Sequence, residues 1–113
     1  MTTTDVGERA RIRELNDRLR TECLGGAIVC TNGVAALPQE TRRAVMAAVQ
    51  AFDAFNDDND PYGEHDCAVI EAAGQRIIFK IDYYDLDMRM GSPDPSNPAV
   101  TTRVLTLMLA EEY

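Results

Sequence analysis

Apolar residues recur along this chain with two different periods. Between Glu8 and Cys23, the positions Ile12, Leu15, Leu19 and Cys23 lie three or four apart, with arginines and acids between them, which predicts an amphipathic helix ended by Gly25 and Gly26. AIVCTNGVAAL follows, two short apolar runs around Asn32 and Gly33. The pattern predicts a tight hairpin, with a single strand leading into a loop as the alternative. Pro38 suits a first helical turn and Glu40 its positive end. Val45, Ala48, Val49, Phe52 and Phe55 form one stripe, so a second helix is predicted over 38–55. It is broken by NDDNDPYG, which reads as loop.

Beyond that loop the period shortens to two. Residues 67–71 and 75–83 are β-rich runs separated by AAG. In the second, Ile77, Phe79, Ile81 and Tyr83 share one face, while Ile78, Lys80, Asp82 and Tyr84 share the other. Leu86, Met88 and Met90 alternate with Asp87 and Arg89, which suggests a further edge strand before GSPDPSNP. Asn97 then caps, and Pro98 begins, a predicted last helix running to Tyr113, with Val100, Val104, Leu107 and Met108 facing the sheet. The predicted architecture is one α+β domain over residues 1–113 with a flexible start at 1–7. It has an antiparallel sheet of about four to five short strands and three helices packed mainly on one face.

A chain of 113 residues suits one core, and its apolar and charged fractions are those of an ordinary globular domain. No apolar run is long enough to span a bilayer, and MTTTDVGERARIRELN lacks the apolar stretch of a secretory leader. A cytoplasmic protein that does not engage a membrane is the expectation. Cys23, Cys30 and Cys67 are odd in number and lack CxxC spacing, so they are read as free, mostly buried thiols rather than disulfides or, with His65, a zinc site.

Charge changes the picture more. The formal net charge is -8, but residues 1–52 hold seven arginines against six acids, whereas residues 53–94 hold eleven acids against Arg76, Lys80 and Arg89. Direct nucleic-acid binding does not fit such a segment; a basic partner or a divalent cation does.

The blocks DNDPYGEHD, KIDYYD and NPAVTTRVLTLMLAEEY together resemble a family of small bacterial proteins, domain-of-unknown-function family 3768, over Arg11 to Tyr113. The resemblance implies a gene carried on plasmids, phages or other mobile elements and brings no catalytic residues. Cys67 departs from it, since a phenylalanine is expected after GEHD.

The candidate chemistry centres on NDPYGEHD, which holds the only histidine. Asp57, Asp58, Asp60, Glu64, His65 and Asp66 offer oxygen and nitrogen ligands. As a calcium loop starting at Asp58, Gly63 falls correctly at the sixth place, but Tyr62 occupies the fifth and Val69 the twelfth. A proline–glycine turn held by its own Asn and Asp side chains is preferred. His65 with Cys67, Ser92 or Thr31 would make a minimal base and nucleophile, but no hydrolase, zincin, P-loop or dinucleotide motif supports it. Neither enzyme activity, nor a catalytic residue, nor a cofactor or metal is therefore expected. In KIDYYDLD, carboxylates and a phenol line an exposed strand and its exit, suited to recognition.

The function expected is that of a non-enzymatic, acidic interaction protein of a mobile element. Asp57, Asp58, Asp60, Glu64, Asp82, Tyr84, Asp85 and Asp87 would contact a basic host protein that itself binds nucleic acid. An anti-CRISPR or anti-restriction inhibitor mimicking DNA is the concrete version. The alternatives are a metal-binding domain or metal-dependent hydrolase centred on Asp60, Glu64, His65 and Asp66, and a structural homodimer.

Overall fold

The computed structural model describes the backbone of residues 3–113 and the side chains from Val6 onward. Residues 1 and 2 of the expected flexible start lie outside the described residues; from Thr3 the chain is helical. The elements are α1 (Thr3–Glu22), β1 (Ala27–Cys30), the single-turn α2 (Asn32–Ala35), α3 (Gln39–Ala51), β2 (Cys67–Ala72), β3 (Gln75–Tyr84) and β4 (Thr102–Leu109), with 3-10 turns at Pro98–Val100 and Ala110–Glu112. Three helices and four strands make an α+β fold, and the strand number falls within the expected range. None of the helices among the described residues is long and apolar enough to cross a membrane.

The strand order is β1-β4-β3-β2. β2 and β3 pair antiparallel through the two-residue turn Ala73-Gly74, and β3 and β4 also pair antiparallel, but β1 lies parallel to β4, so the sheet is mixed rather than wholly antiparallel. Register sorts the side chains. Ile77, Phe79, Ile81 and Tyr83 of β3 stand opposite Leu109, Leu107, Leu105 and Arg103 of β4, and share their face with Ala68 and Ile70 of β2. Leu19 of α1, Val34 of α2, and Val45 and Val49 of α3 close over this face and complete the core.

Three local expectations are corrected. The hairpin at Asn32-Gly33 does not form. Neither residue adopts the positive φ that the tight turn demands, and β1 is already paired with β4. Instead Thr31 continues the parallel ladder by donating its N–H to Leu107 O at 3.0 Å. A single helical turn then sinks Val34 into the core. A side chain at Gly33 would press on the ends of the Leu109 and Glu112 side chains, which would have to shift.

The edge strand at 86–90 is a closed loop. Asp85 N–H donates to Met90 O, Met88 N–H donates to Asp85 O, and Met88 takes φ +58. Leu86, Met88 and Met90 are left 64 %, 53 % and 72 % exposed.

The last predicted helix is a strand. Asn97 does cap, accepting from Ala99 N–H at 2.9 Å, but only for one 3-10 turn. The run VLTLML is buried on both faces, where Val104 and Met108 lie opposite to Leu105 and Leu107. Such two-sided burial hides the alternation by which a strand announces itself.

The thiols are also placed differently. Cys23 and Cys30 are exposed, and Cys67 is half-buried; all three are free.

Candidate functional site

The segment Phe52–Asp66 joins α3 to β2 and is drawn against α1. Its first anchor is Arg20, a buried residue of α1. The guanidinium donates to Val49 O and Phe52 O at 2.9 and 2.7 Å, satisfying carbonyls that the end of α3 leaves without helical partners. It also sits over the Phe55 and Phe79 rings, at 5.3 and 5.8 Å from their centres.

Within the turn, Asn56 Oδ1 accepts from the N–H groups of Asp58 and Asn59 at 2.8 and 3.0 Å, and Asn59 Oδ1 accepts from Asn56 N–H. Asp60 is buried, and its carboxylate accepts from the backbone N–H groups of Glu64 and His65. His65, at φ +56, stacks on Phe55 with ring centres 4.0 Å apart. Its Nδ1 lies 2.8 Å from Asp17 Oδ1 on α1, and its Nε2 lies 3.7 Å from Asp60 Oδ2. NDPYGEHD is thus a turn held by its own polar side chains and clamped to α1, as its proline, glycine, asparagine and aspartates imply. Arg13 completes the clamp by donating to Gly63 O at 3.0 Å.

A second network lies behind the clamp. Asn16, fully buried on α1, donates to Tyr83 Oη and to Glu64 O at 2.8 and 3.0 Å. Tyr83 in turn donates its O–H to Glu64 Oε1 at 2.9 Å. Arg103 Nε donates to Asn16 Oδ1 at 2.7 Å, and its other end reaches Pro95 O. Burial pushes the Tyr83 phenol far above its ordinary range, so it remains a neutral donor.

Sequence reasoning missed Asn16, Arg20 and Arg103. Each leaves a trace: Asn16 and Arg20 flank Leu19 beside the apolar stripe of α1, and Arg103 interrupts an apolar run.

The eight residues expected to meet a partner separate into three groups. Asp57, Asp58 and Asp87 are exposed. Glu64, Asp82, Tyr84 and Asp85 are half-buried: Glu64 is engaged by Tyr83, Asp82 by Lys80 at 2.8 Å, and Asp85 by the N–H of Arg89 at 3.0 Å. Asp60 faces inward and is not part of the surface. The segments 52–66 and 85–101 nevertheless leave the sheet at one end, where β2 begins, β3 stops and β4 begins.

The metal alternative set Asp60, Glu64, His65 and Asp66 together. Among the described residues, no group of three or more His, Cys, Asp or Glu side chains is arranged to hold a metal ion. The ring nitrogens of His65 face Asp17 and Asp60, whereas the Ser92 hydroxyl pairs with that of Thr101 at 2.7 Å and Thr31 donates to Glu112 at 2.6 Å.

Asp66 is half-buried, and desolvation raises its carboxyl pKa, with help from the charges of Glu64, Asp60 and Asp82. A folded-state value above the unfolded 3.8 means that ionisation of Asp66 opposes folding as pH rises through that region. Asp66→Asn should therefore stabilise the protein at pH 7, with the gain fading below about pH 4. Urea unfolding of both proteins at pH 7 and pH 3 checks this; an equal gain at both would refute it.

The family model for DUF3768, described as a protein of unknown function, matches residues 30–112. That span covers α2 to β4, takes in only the last residue of β1 and leaves α1 wholly outside. No curated protein and no solved structure matches the chain.

Proposed function

Since the chain belongs to the DUF3768 family, which carries no assigned activity, we propose from its own geometry that it is a non-enzymatic interaction protein. Its acidic sheet end binds a basic partner, a nucleic-acid-binding protein of the host. In this reading the gene belongs to a mobile element, and the protein inhibits host defence by occupying a surface made for a phosphate backbone.

One observation carries the proposal. Asp57 and Asp58, in the segment before β2, and Asp87, in the segment after β3, are all exposed, and both segments depart from the sheet end where β2 begins and β3 stops. The clamp on α1 fixes the first loop, and the hydrogen bonds of Asp85 fix the second. The negative charge is therefore held in place before a partner arrives, which favours fast, charge-steered association.

Changing Asp57, Asp58 and Asp87 together to asparagine should weaken capture of a basic host partner at least tenfold, equivalent to about 1.4 kcal/mol, and leave the fold intact. Binding of the unaltered protein should weaken as salt rises, because exposed charges are screened beyond about 8 Å at physiological ionic strength. Duplex DNA should compete for the partner. A partner bound equally well by the triple variant, at low and high salt, would remove the acidic end from the interface.

A further inference from the structure

β2 has a strand on one side only, because the sheet order is β1-β4-β3-β2. Asp66 O accepts from Ile81 N–H at 2.7 Å, and these two residues stand opposite each other when the β2–β3 register is continued by one place. Hydrogen-bonded pairs alternate along an antiparallel ladder. Ala68, Ile70 and Ala72 therefore turn their N–H and C=O groups to β3, and Cys67, Val69 and Glu71 turn theirs outward. Among the described residues, no backbone group outside the ladder bonds to them.

Proteins ordinarily blunt such an edge with a proline, a lysine, a bulge or a very short strand. β1, at the other edge, is four residues long. β2 runs for six residues, CAVIEA, in unbroken register and with neither proline nor lysine. Val69, the middle of the three outward residues, is 49 % exposed.

We infer that β2 pairs antiparallel with β2 of a second copy about a two-fold axis at Val69, joining two four-stranded sheets into one. In this register Val69 meets the partner's Val69 and Cys67 meets the partner's Glu71, so every outward N–H and C=O of the three residues finds a mate. Sliding Cys67 against the partner's Val69 leaves Glu71 without a strand opposite, because His65, at φ +56, has already left the extended region. The side chains match as well. Ile78 stands opposite Val69, so the joint sets four apolar side chains in one row. On the same face Glu71, opposite Arg76, comes within one strand of the partner's Lys80, since Lys80 stands opposite Cys67. Lys80 also holds Asp82 at 2.8 Å, so two cations and two anions meet at each end of the joint. The acidic sheet ends, where β2 begins, are sent to opposite ends of the joint. Six residues at about 3.3 Å each hold them roughly 20 Å apart, beyond the screening length of about 8 Å. The contact is therefore independent of the acidic end and does not compete with it for a partner.

Sedimentation velocity on the full chain from about 10 µM to about 1 mM, with hydrogen exchange at both concentrations, tests this. The expected result is a rise from 12.5 kDa towards twice that mass, with exchange at the amides of Cys67, Val69 and Glu71 slowing several-fold as the dimer forms. Val69→Pro removes one outward N–H and leaves the β2–β3 ladder whole, while Val69→Lys sets two like charges against each other on the axis. Each variant should stay monomeric throughout with unchanged circular dichroism. A chain monomeric at every concentration overturns the inference. So does a dimer in which those three amides exchange as fast as in the monomer, or one that Val69→Lys still forms.

Discussion

Replacing Arg103 by alanine should destabilise the protein by about 4 kcal/mol, among the largest losses any single substitution here can cause. The side chain is almost wholly buried, so its removal empties a large volume in the core face of β4. It also takes away the donor to Asn16 Oδ1 and to Pro95 O, and the cation above the Tyr83 ring, 5.1 Å from its centre. Asn16 cannot turn to water, because it is fully buried between α1 and the sheet. Arg103→Met restores most of the volume without the donors, so it should recover part of the loss and separate cavity from unpaired polar group. Urea unfolding monitored by circular dichroism gives both values. A loss below about 1 kcal/mol for Arg103→Ala would mean that the network relaxes or admits water.

Phe79→Ala should cost a similar amount, about 3–5 kcal/mol. Phe79 is fully buried at the centre of β3, with the rings of Phe52 and Phe55 edge-on to it at 5.7 and 6.3 Å and Arg20 above it. Phe55 in turn carries His65. The substitution therefore loosens the floor of the clamp as well as the core. Hydrogen exchange should show the amides of Glu64 and His65, held by Asp60, opening before the strands do. If protection in 60–66 falls no more than in β3, the loop is held by α1 alone.

The legibility of the sequence followed how far each residue's surroundings are local. The stripe of α1 and the alternation of β3 follow from one-sided burial and appear where their periods place them, whereas α3, expected over 38–55, stops at Ala51, with Phe52 and Phe55 packing on the core from the loop that follows. The proline–glycine turn at 59–66 was equally readable, since its polar partners lie within a few residues. β4 was not, because a strand inserted between two others is apolar on both faces and looks like any long apolar run. The hairpin at Asn32-Gly33 failed for the same reason: its strand pairs with a segment 76 residues away, as the bond from Thr31 to Leu107 shows. Asn16 and Arg103 are partners across 87 residues, a distance over which no local pattern carries information.

The position of β4 between β1 and β3 also governs how the protein can fold. The antiparallel β2–β3 unit closes over a two-residue connection and can form early, whereas β1 has no sheet neighbour until residues 102–109 are available. A nascent chain still short of Thr102 therefore exposes the core edge of β3 together with an orphan β1. The loop-closure entropy of joining them falls on one late event, which places refolding among the slower domains of this size, in milliseconds to seconds rather than microseconds. Any species stalled before that event presents two unpaired strand edges, so chaperone demand and aggregation during synthesis should both be set by the arrival of a single eight-residue segment.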